Sequence, residues 1–176
     1  MHNADMVYNG TTLNWTGNGV YPATSGLSGH QNASEQSHKD EGPIPEGLYS
    51  FQLSIAKDAT MVGPGKLDVR EGIEHLPGTW QYRGQTYVDQ AWGPDRVRLT
   101  IVHIDDAENR HRNGFYLHDS RKGYSHGCIE VSPFLFKKLR EYVELPPAQR
   151  GHKSRLYVRV RYPTKGSSTY GGTYVP

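Results

Sequence analysis

The chain contains a single cysteine, Cys128, among its 176 residues, so an internal disulfide is excluded. It also has no run of about 18 apolar residues, the length that a membrane-spanning helix needs, and we expect no membrane insertion. No long block of basic residues is present, and the formal net charge is only +2. A nucleic-acid partner is therefore not expected.

Phenylalanine is also scarce, with 4 residues beside 12 tyrosines, whereas glycine (20) and proline (11) are plentiful. This composition is typical of many short strands joined by turns. We predict a mainly β fold, a sandwich or open barrel, forming one catalytic domain over residues 1–165. Residues 166–176 are rich in Gly, Ser and Tyr and are expected to form a C-terminal tail.

One helix is predicted after the cysteine. Ser132 is a suitable N-cap and the following proline suits the first helical position. An apolar face then recurs at helical spacing, with Leu135, Phe136 and Leu139 expected to pack on the β domain. Residues 96–104 alternate polar and aliphatic side chains, which predicts one half-buried strand with His103 pointing into the core.

The strongest functional signal surrounds Cys128. It follows a Ser-His-Gly turn and lies ten positions after His118, at the end of a predicted strand over residues 114–118. A thiolate is a competent nucleophile, and a nearby imidazole lowers its pKa and can accept its proton. We therefore expect a reactive thiol with a lowered pKa. The alternative is a packing cysteine beside a chance histidine.

Ser125-His126-Gly127-Cys128, followed by an aliphatic residue, resembles the catalytic signature of bacterial L,D-transpeptidases. Residues 21–26 (Tyr-Pro-Ala-Thr-Ser-Gly) and 42–49 (Gly-Pro-Ile-Pro-Glu-Gly-Leu-Tyr) resemble two further segments of that family. The compact spacing, the size of the chain and the Ala-Thr-Ser-Gly segment look more like the L,D-transpeptidase effectors of type VI secretion systems. The family's histidine-to-cysteine spacing is usually longer, and Glu130 stands where Arg or Asn is common.

The resemblance implies that Cys128 attacks a peptidoglycan stem peptide, releases the terminal D-alanine and forms a thioester. His118 would act as the base, oriented by the backbone carbonyl or the side chain of Asp119. Gly127 would let the backbone N–H groups at the cysteine reach the oxyanion, and His126 would line the pocket. Water, a free D-amino acid or a neighbouring stem would resolve the thioester.

Three further positions are expected at the substrate: Ser125, which would also brace the loop, Tyr124 and Glu130. No cofactor and no metal are expected. A zinc site formed by Cys128 with His118 and His126 would be an alternative. His30 and His38 lie in a polar loop and are predicted to be solvated.

Two other functions remain open on the residues alone. One is a Cys/His amidase or endopeptidase of the cell wall, and the other is a non-catalytic wall-binding module. The first residues, Met-His-Asn-Ala-Asp-Met, have neither a basic nor an apolar signal region. We therefore expect synthesis in the cytoplasm, export by a secretion apparatus, action in the periplasm of a target bacterium, and a cognate immunity protein.

Overall fold

A computed structural model describes residues 3–89 and 91–172. The fold is mainly β, with 36% of residues in strands and 13% in helices. The first strands are β1 (Met6–Tyr8), β2 (Thr12–Trp15), β3 (Gly19–Thr24), β4 (Gly47–Gln52), β5 (Met61–Gly63), β6 (Lys66–Leu67) and β7 (Ile73–His75). They are followed by β8 (Thr79–Tyr82), β9 (Gln85–Val88), β10 (Asp95–Arg98), β11 (Thr100–Ile104), β12 (Tyr116–Asp119), β13 (Ile129–Val131) and β14 (Arg155–Val160). The α-helix in the described part is α1 (Pro133–Glu144), and short 3-10 helices span Ala33–Glu35, Ala107–Asn109 and Pro147–Arg150.

Ten strands form one curled sheet that closes into a half-barrel, in the order β11-β4-β14-β1-β2-β3-β13-β12-β10-β7. The pairs β1–β14 and β12–β13 are parallel, and the other pairs of this sheet are antiparallel. Two separate hairpins, β5–β6 and β8–β9, lie outside it. The prediction of a mainly β fold with one principal helix is confirmed.

The inner face of the sheet and α1 share one apolar core. Leu135, Phe136 and Leu139 of the helix are fully buried in the same cluster as Leu117 and Ile129 of the sheet. The apolar spacing on α1 therefore faces the sheet, as predicted. This packing holds the segment that follows Cys128 firmly in place.

The prediction for residues 96–104 is wrong in one respect. The chain forms two strands, β10 and β11, interrupted at Leu99, and the pairing of β11 with β4 shifts register between Ile101 and His103. Such a bulge moves later side chains to the opposite face. His103 is consequently exposed and lies 3.1 Å from a carboxylate oxygen of Asp105.

The segment that follows β14 crosses the surface of the sheet at least as far as residue 172. The backbone carbonyl of Thr169 accepts a hydrogen bond of 2.9 Å from the N–H of Ser25, and the Thr169 side chain is fully buried. Residues 173–176 of the predicted tail lie outside the described residues. In the described part of the chain, α1 and the 3-10 helices are too short or too polar to cross a bilayer.

Candidate active site

His118 and Cys128 are carried by two adjacent parallel strands. In the β12–β13 pair, Leu117 lies opposite Ile129 and His118 opposite Glu130. Because side chains alternate along a strand, Leu117 and Ile129 point into the core, while His118 and Cys128 lie on the opposite face. Diagonal neighbours on one face are typically about 7–8 Å apart, within reach of longer side chains. The register thus places the two candidate residues on the same face of the sheet.

The face that carries this pair is polar yet covered. Arg96 pairs with His118 across β10–β12, and Glu74 pairs with Arg96 across β7–β10. The Arg96 guanidinium donates to the Glu74 carboxylate at 2.7 Å, with both side chains buried. Trp92 stacks edge-on against His118, with ring centroids 5.2 Å apart, and against Tyr116 at 5.0 Å. Sequence analysis did not single out these covering residues, because nothing local marks their partners.

The imidazole of His118 is neutral in this environment. The side chain is 2% exposed, and burial, aided by the positive charge of Lys122, lowers its pKa from 6.5 to about 3. The backbone carbonyl of Asp119 acts in the opposite direction. Nδ1 is buried without a hydrogen-bond partner. The ring therefore has an unfilled position at which a proton could be accepted.

The thiol of Cys128 does not have the lowered pKa that we expected from sequence. It is 9% exposed, and burial raises its pKa from 9.0 to about 11. A backbone hydrogen bond from Tyr116 and the charges of Arg96 and Arg112 oppose this shift without cancelling it. The thiol and the imidazole are consequently both neutral at rest and do not form an ion pair.

The carboxylate of Asp119 is directed away from His118. Its Oδ1 accepts a hydrogen bond of 2.8 Å from the backbone N–H of Asp95. Burial raises its pKa to about 6. Gly93 packs directly on the Asp119 carbonyl, since a Cβ at that position would lie 1.6 Å from this oxygen. Of the two orienting groups considered from sequence, the backbone carbonyl is the one that acts on the His118 imidazole.

The turn before Cys128 is braced by Ser125. Its backbone N–H donates to the Gly26 carbonyl at 3.1 Å, and its Oγ donates to the Cys128 carbonyl at 2.5 Å. The Ser125 Oγ also accepts from the N–H of Gly26 at 3.3 Å. His126 is exposed, and its Nδ1 lies 3.1 Å from the Asp40 carbonyl, to which it can donate. Segments distant in sequence thus hold this turn.

Arg112 is another residue that sequence analysis missed, because it lies in a charged stretch that is typical of a surface turn. Its buried guanidinium donates to the carbonyls of Gln36 (2.7 Å), Pro43 (2.6 Å) and Gly42 (3.2 Å). Gly127 packs on it with φ at +98°, and a Cβ there would lie 2.3 Å from Nη2. Arg112 therefore joins the loop before β4 to the turn that carries Cys128.

Glu130 holds the short loop at residues 120–124. Its side chain is fully buried, Oε1 accepts from the N–H of Gly123 at 2.8 Å, and Oε2 accepts from the hydroxyl of Ser120. Burial raises its pKa. Tyr124 is exposed, with the Lys122 ammonium 5.0 Å from its ring centroid. A substrate contact by Glu130, Ser125 or Tyr124 stays a prediction.

Two cavities flank Trp92. One of about 380 Å³ lies between the two small hairpins and the sheet, and its wall includes Trp80, Arg96 and Tyr116. The other, of about 350 Å³, is bordered by Asp119, Lys122 and the residues around Pro94. Trp92, which covers His118, therefore has open space on either side, and neither cavity is lined by His118 or Cys128.

Within residues 3–89 and 91–172, three metal-ligating side chains come together at His30, His38 and Glu41. Cys128 belongs to no such cluster in this part of the chain, so the alternative zinc site around it has no support. No protein-family model and no curated protein sequence matches this chain. The case for a function consequently depends on the site's own chemistry.

Proposed function

We propose that this protein is a cysteine-dependent L,D-transpeptidase and L,D-carboxypeptidase that acts on peptidoglycan stem peptides. The observation that carries the proposal is the position of Cys128, the sole thiol, and His118 on one face of the parallel β12–β13 pair. Trp92 covers His118, and Arg96 and Tyr116 of the same face line a cavity of about 380 Å³. A packing cysteine would need no histidine on its face of the sheet.

The segments that carry the family resemblance also converge. The Ser-Gly end of residues 21–26 is hydrogen-bonded to Ser125 through Gly26. The start of residues 42–49 lies against Gly127 through the carbonyls that Arg112 binds. These contacts join positions about 100 and 85 residues apart in sequence. Their meeting at the turn before Cys128 supports the resemblance without depending on it.

The neutral resting pair determines how the chemistry would run. Cys128 Sγ attacks the carbonyl carbon of the third stem residue while His118 accepts the thiol proton. The oxyanion forms near the backbone N–H groups of Gly127 and Cys128. The imidazolium then protonates the leaving amine, D-alanine departs, and a thioester remains. Water, a D-amino acid or another stem's amine attacks that thioester and regenerates the thiol.

The test is incubation of the protein with purified tetrapeptide muropeptides, with and without a free D-amino acid, followed by mass spectrometry. We expect a tripeptide product plus D-alanine, and an exchanged tetrapeptide when the D-amino acid is present. Cys128→Ala should abolish both products. His118→Ala should reduce the rate by about 100-fold or more, as expected for loss of a general base. His103→Ala, at an exposed histidine on β11, is the matched control and should retain full activity.

The same assay separates the other functions. An amidase would free the stem from the sugar, and an endopeptidase would open crosslinked dimers. A wall-binding module would yield no product and would still bind sacculi as Cys128→Ala. Turnover that persists in Cys128→Ala would overturn the proposal.

We further propose that the protein acts as a secreted antibacterial effector, matched by an immunity protein that blocks the cleft at Cys128. Expression in the cytoplasm should be harmless, because no peptidoglycan is present there. Export to the periplasm through a fused signal sequence should cause swelling or lysis, and Cys128→Ala should remove this effect. Equal toxicity in both compartments would exclude the wall as the target.

A further inference from the structure

A cluster of two histidines and two glutamates lies in the loop between β3 and β4, outside the proposed catalytic pair. His30, His38 and Glu41 each offer one ligand atom, and these atoms all lie within 4.8 Å of one another. Sequence analysis predicted solvated histidines here, since their spacing is irregular. The fold of the loop brings them together, because Leu27 N–H donates to the Glu41 carbonyl at 2.8 Å and closes its two ends.

Glu35 holds the imidazole ring of His30 in an orientation that suits a metal ligand. Its Oε2 lies 2.5 Å from Nδ1 of His30 and 3.5 Å from Nδ1 of His38. A carboxylate that accepts from one ring nitrogen leaves the other nitrogen free to ligate, an arrangement common behind metal-bound histidines. Nε2 of His30 accordingly faces the Glu41 carboxylate, 4.0 Å away.

We propose that His30, His38 and Glu41 bind one divalent transition-metal ion, zinc by preference, with Glu35 orienting His30. Two imidazoles and one carboxylate are a donor set that zinc accepts, with solvent in the remaining position. Tetrahedral ligands at ordinary zinc distances lie about 3.3 Å apart. The ligand atoms therefore have to approach one another by about 1.5 Å at most when the ion binds. Rotation of the exposed His38 and Glu41 side chains supplies that movement.

The metal would act as a clamp on the loop beside the candidate active site, with no part in the chemistry. The loop touches that site at both ends. Gly26 binds Ser125 through its backbone, and the Asp40 carbonyl lies 3.1 Å from Nδ1 of His126. A bound ion would tie His30, near the start of the loop, to Glu41, near its end. The site thus stabilises the support of the turn before Cys128, and it is independent of the proposed activity.

Zinc binding tests the proposal directly. Tag-free protein carrying Cys128→Ala, so that no thiol can bind metal, is titrated with zinc in a calorimeter and examined by native mass spectrometry. We expect one equivalent per chain. His38→Ala and Glu41→Gln should each weaken binding by at least about 10-fold, and Glu35→Gln by about 10–100-fold, the usual effect of losing an orienting carboxylate. His152→Asn, at an exposed histidine outside the cluster, should bind as the parent does.

Two further readouts show where the ion lies. Cobalt in place of zinc should give visible absorption bands that disappear in His38→Ala. Zinc should slow hydrogen exchange of the amides of residues 26–42 in the parent and leave them unchanged in that variant. Binding that survives in both His38→Ala and Glu41→Gln, binding lost equally in His152→Asn, or no saturable binding by the parent would each overturn the proposal.

Discussion

Gly127→Ala tests the contact between the turn before Cys128 and the buried Arg112. Gly127 has a φ of +98°, and a Cβ at this position would lie 2.3 Å from Nη2 of Arg112 and 3.3 Å from the Gly42 carbonyl oxygen. Nη2 cannot simply swing away, because the guanidinium is buried and donates to three backbone carbonyls. The substitution must therefore displace either the turn or the arginine.

Two contributions set the expected loss of stability. An L-residue at positive φ costs about 1–2 kcal/mol in backbone strain. Displacing Nη2 leaves the Gly42 carbonyl unpaired, and a buried unpaired acceptor costs about 1–3 kcal/mol. We expect Gly127→Ala to lower the free energy of unfolding by about 2–5 kcal/mol in total. Gly84→Ala is the matched control, because Gly84 has a φ of +78° and nothing within 4 Å of its Cβ position.

Urea unfolding of the two variants measures the difference, and a double-mutant cycle assigns it. Arg112→Met removes the clashing nitrogen, so Gly127→Ala in that background should lose only the strain contribution. The rate of Cys128 alkylation by iodoacetamide reports whether the turn has moved. If Gly127→Ala is no more destabilising than Gly84→Ala, or if the cycle shows no coupling, the packing of Gly127 on Arg112 is not the constraint described above.

Three other outcomes are expected. Because the folded-state pKa of His118 is about 3, below its usual 6.5, the unfolded chain takes up this proton first as the pH falls, and stability is lost between about pH 6.5 and 3. His118→Gln should remove that loss in urea unfolding. The comparison is made against wild type because the raised pKa of Asp119 acts in the opposite direction. An unchanged dependence of the unfolding free energy on pH would contradict the assignment. Trp92→Ala should admit water and raise the pKa of His118 towards 6.5 in an NMR titration, whereas an unmoved value would mean that the tryptophan does not exclude solvent. Glu130→Ala should be about 1–3 kcal/mol less stable than Glu130→Gln in urea unfolding, because only glutamine keeps an acceptor for the Gly123 N–H; equal stabilities would show that this bond contributes nothing.

Local patterns were sufficient for several features. The Ser-Pro start and apolar spacing of α1 predicted its position and its buried face. A single cysteine after Ser-His-Gly indicated Cys128 as the residue of interest. Each of these signals lies within a few residues of the feature that it predicts, so the chain's own periodicity and turn chemistry carry it.

His103 shows where local periodicity fails. Its alternation with the preceding aliphatic residues was genuine, but the register shift in the β11–β4 pair turned it outward. A bulge arises from the pairing of two strands more than 40 residues apart in sequence. The residue pattern of a single strand therefore cannot predict the bulge.

The candidate site depends on the same kind of long-range pairing. Glu74, Arg96 and His118 lie side by side only because β7, β10 and β12 pair in one register. Arg112 meets Gly127 only because the loop before β4 folds over both. The sequence alone determined which side chains could do chemistry and where the helix and turns lie. Burial of these groups, and hence the neutral state of Cys128 and His118, was decided by the tertiary structure, because desolvation depends on neighbours that the order of residues does not reveal.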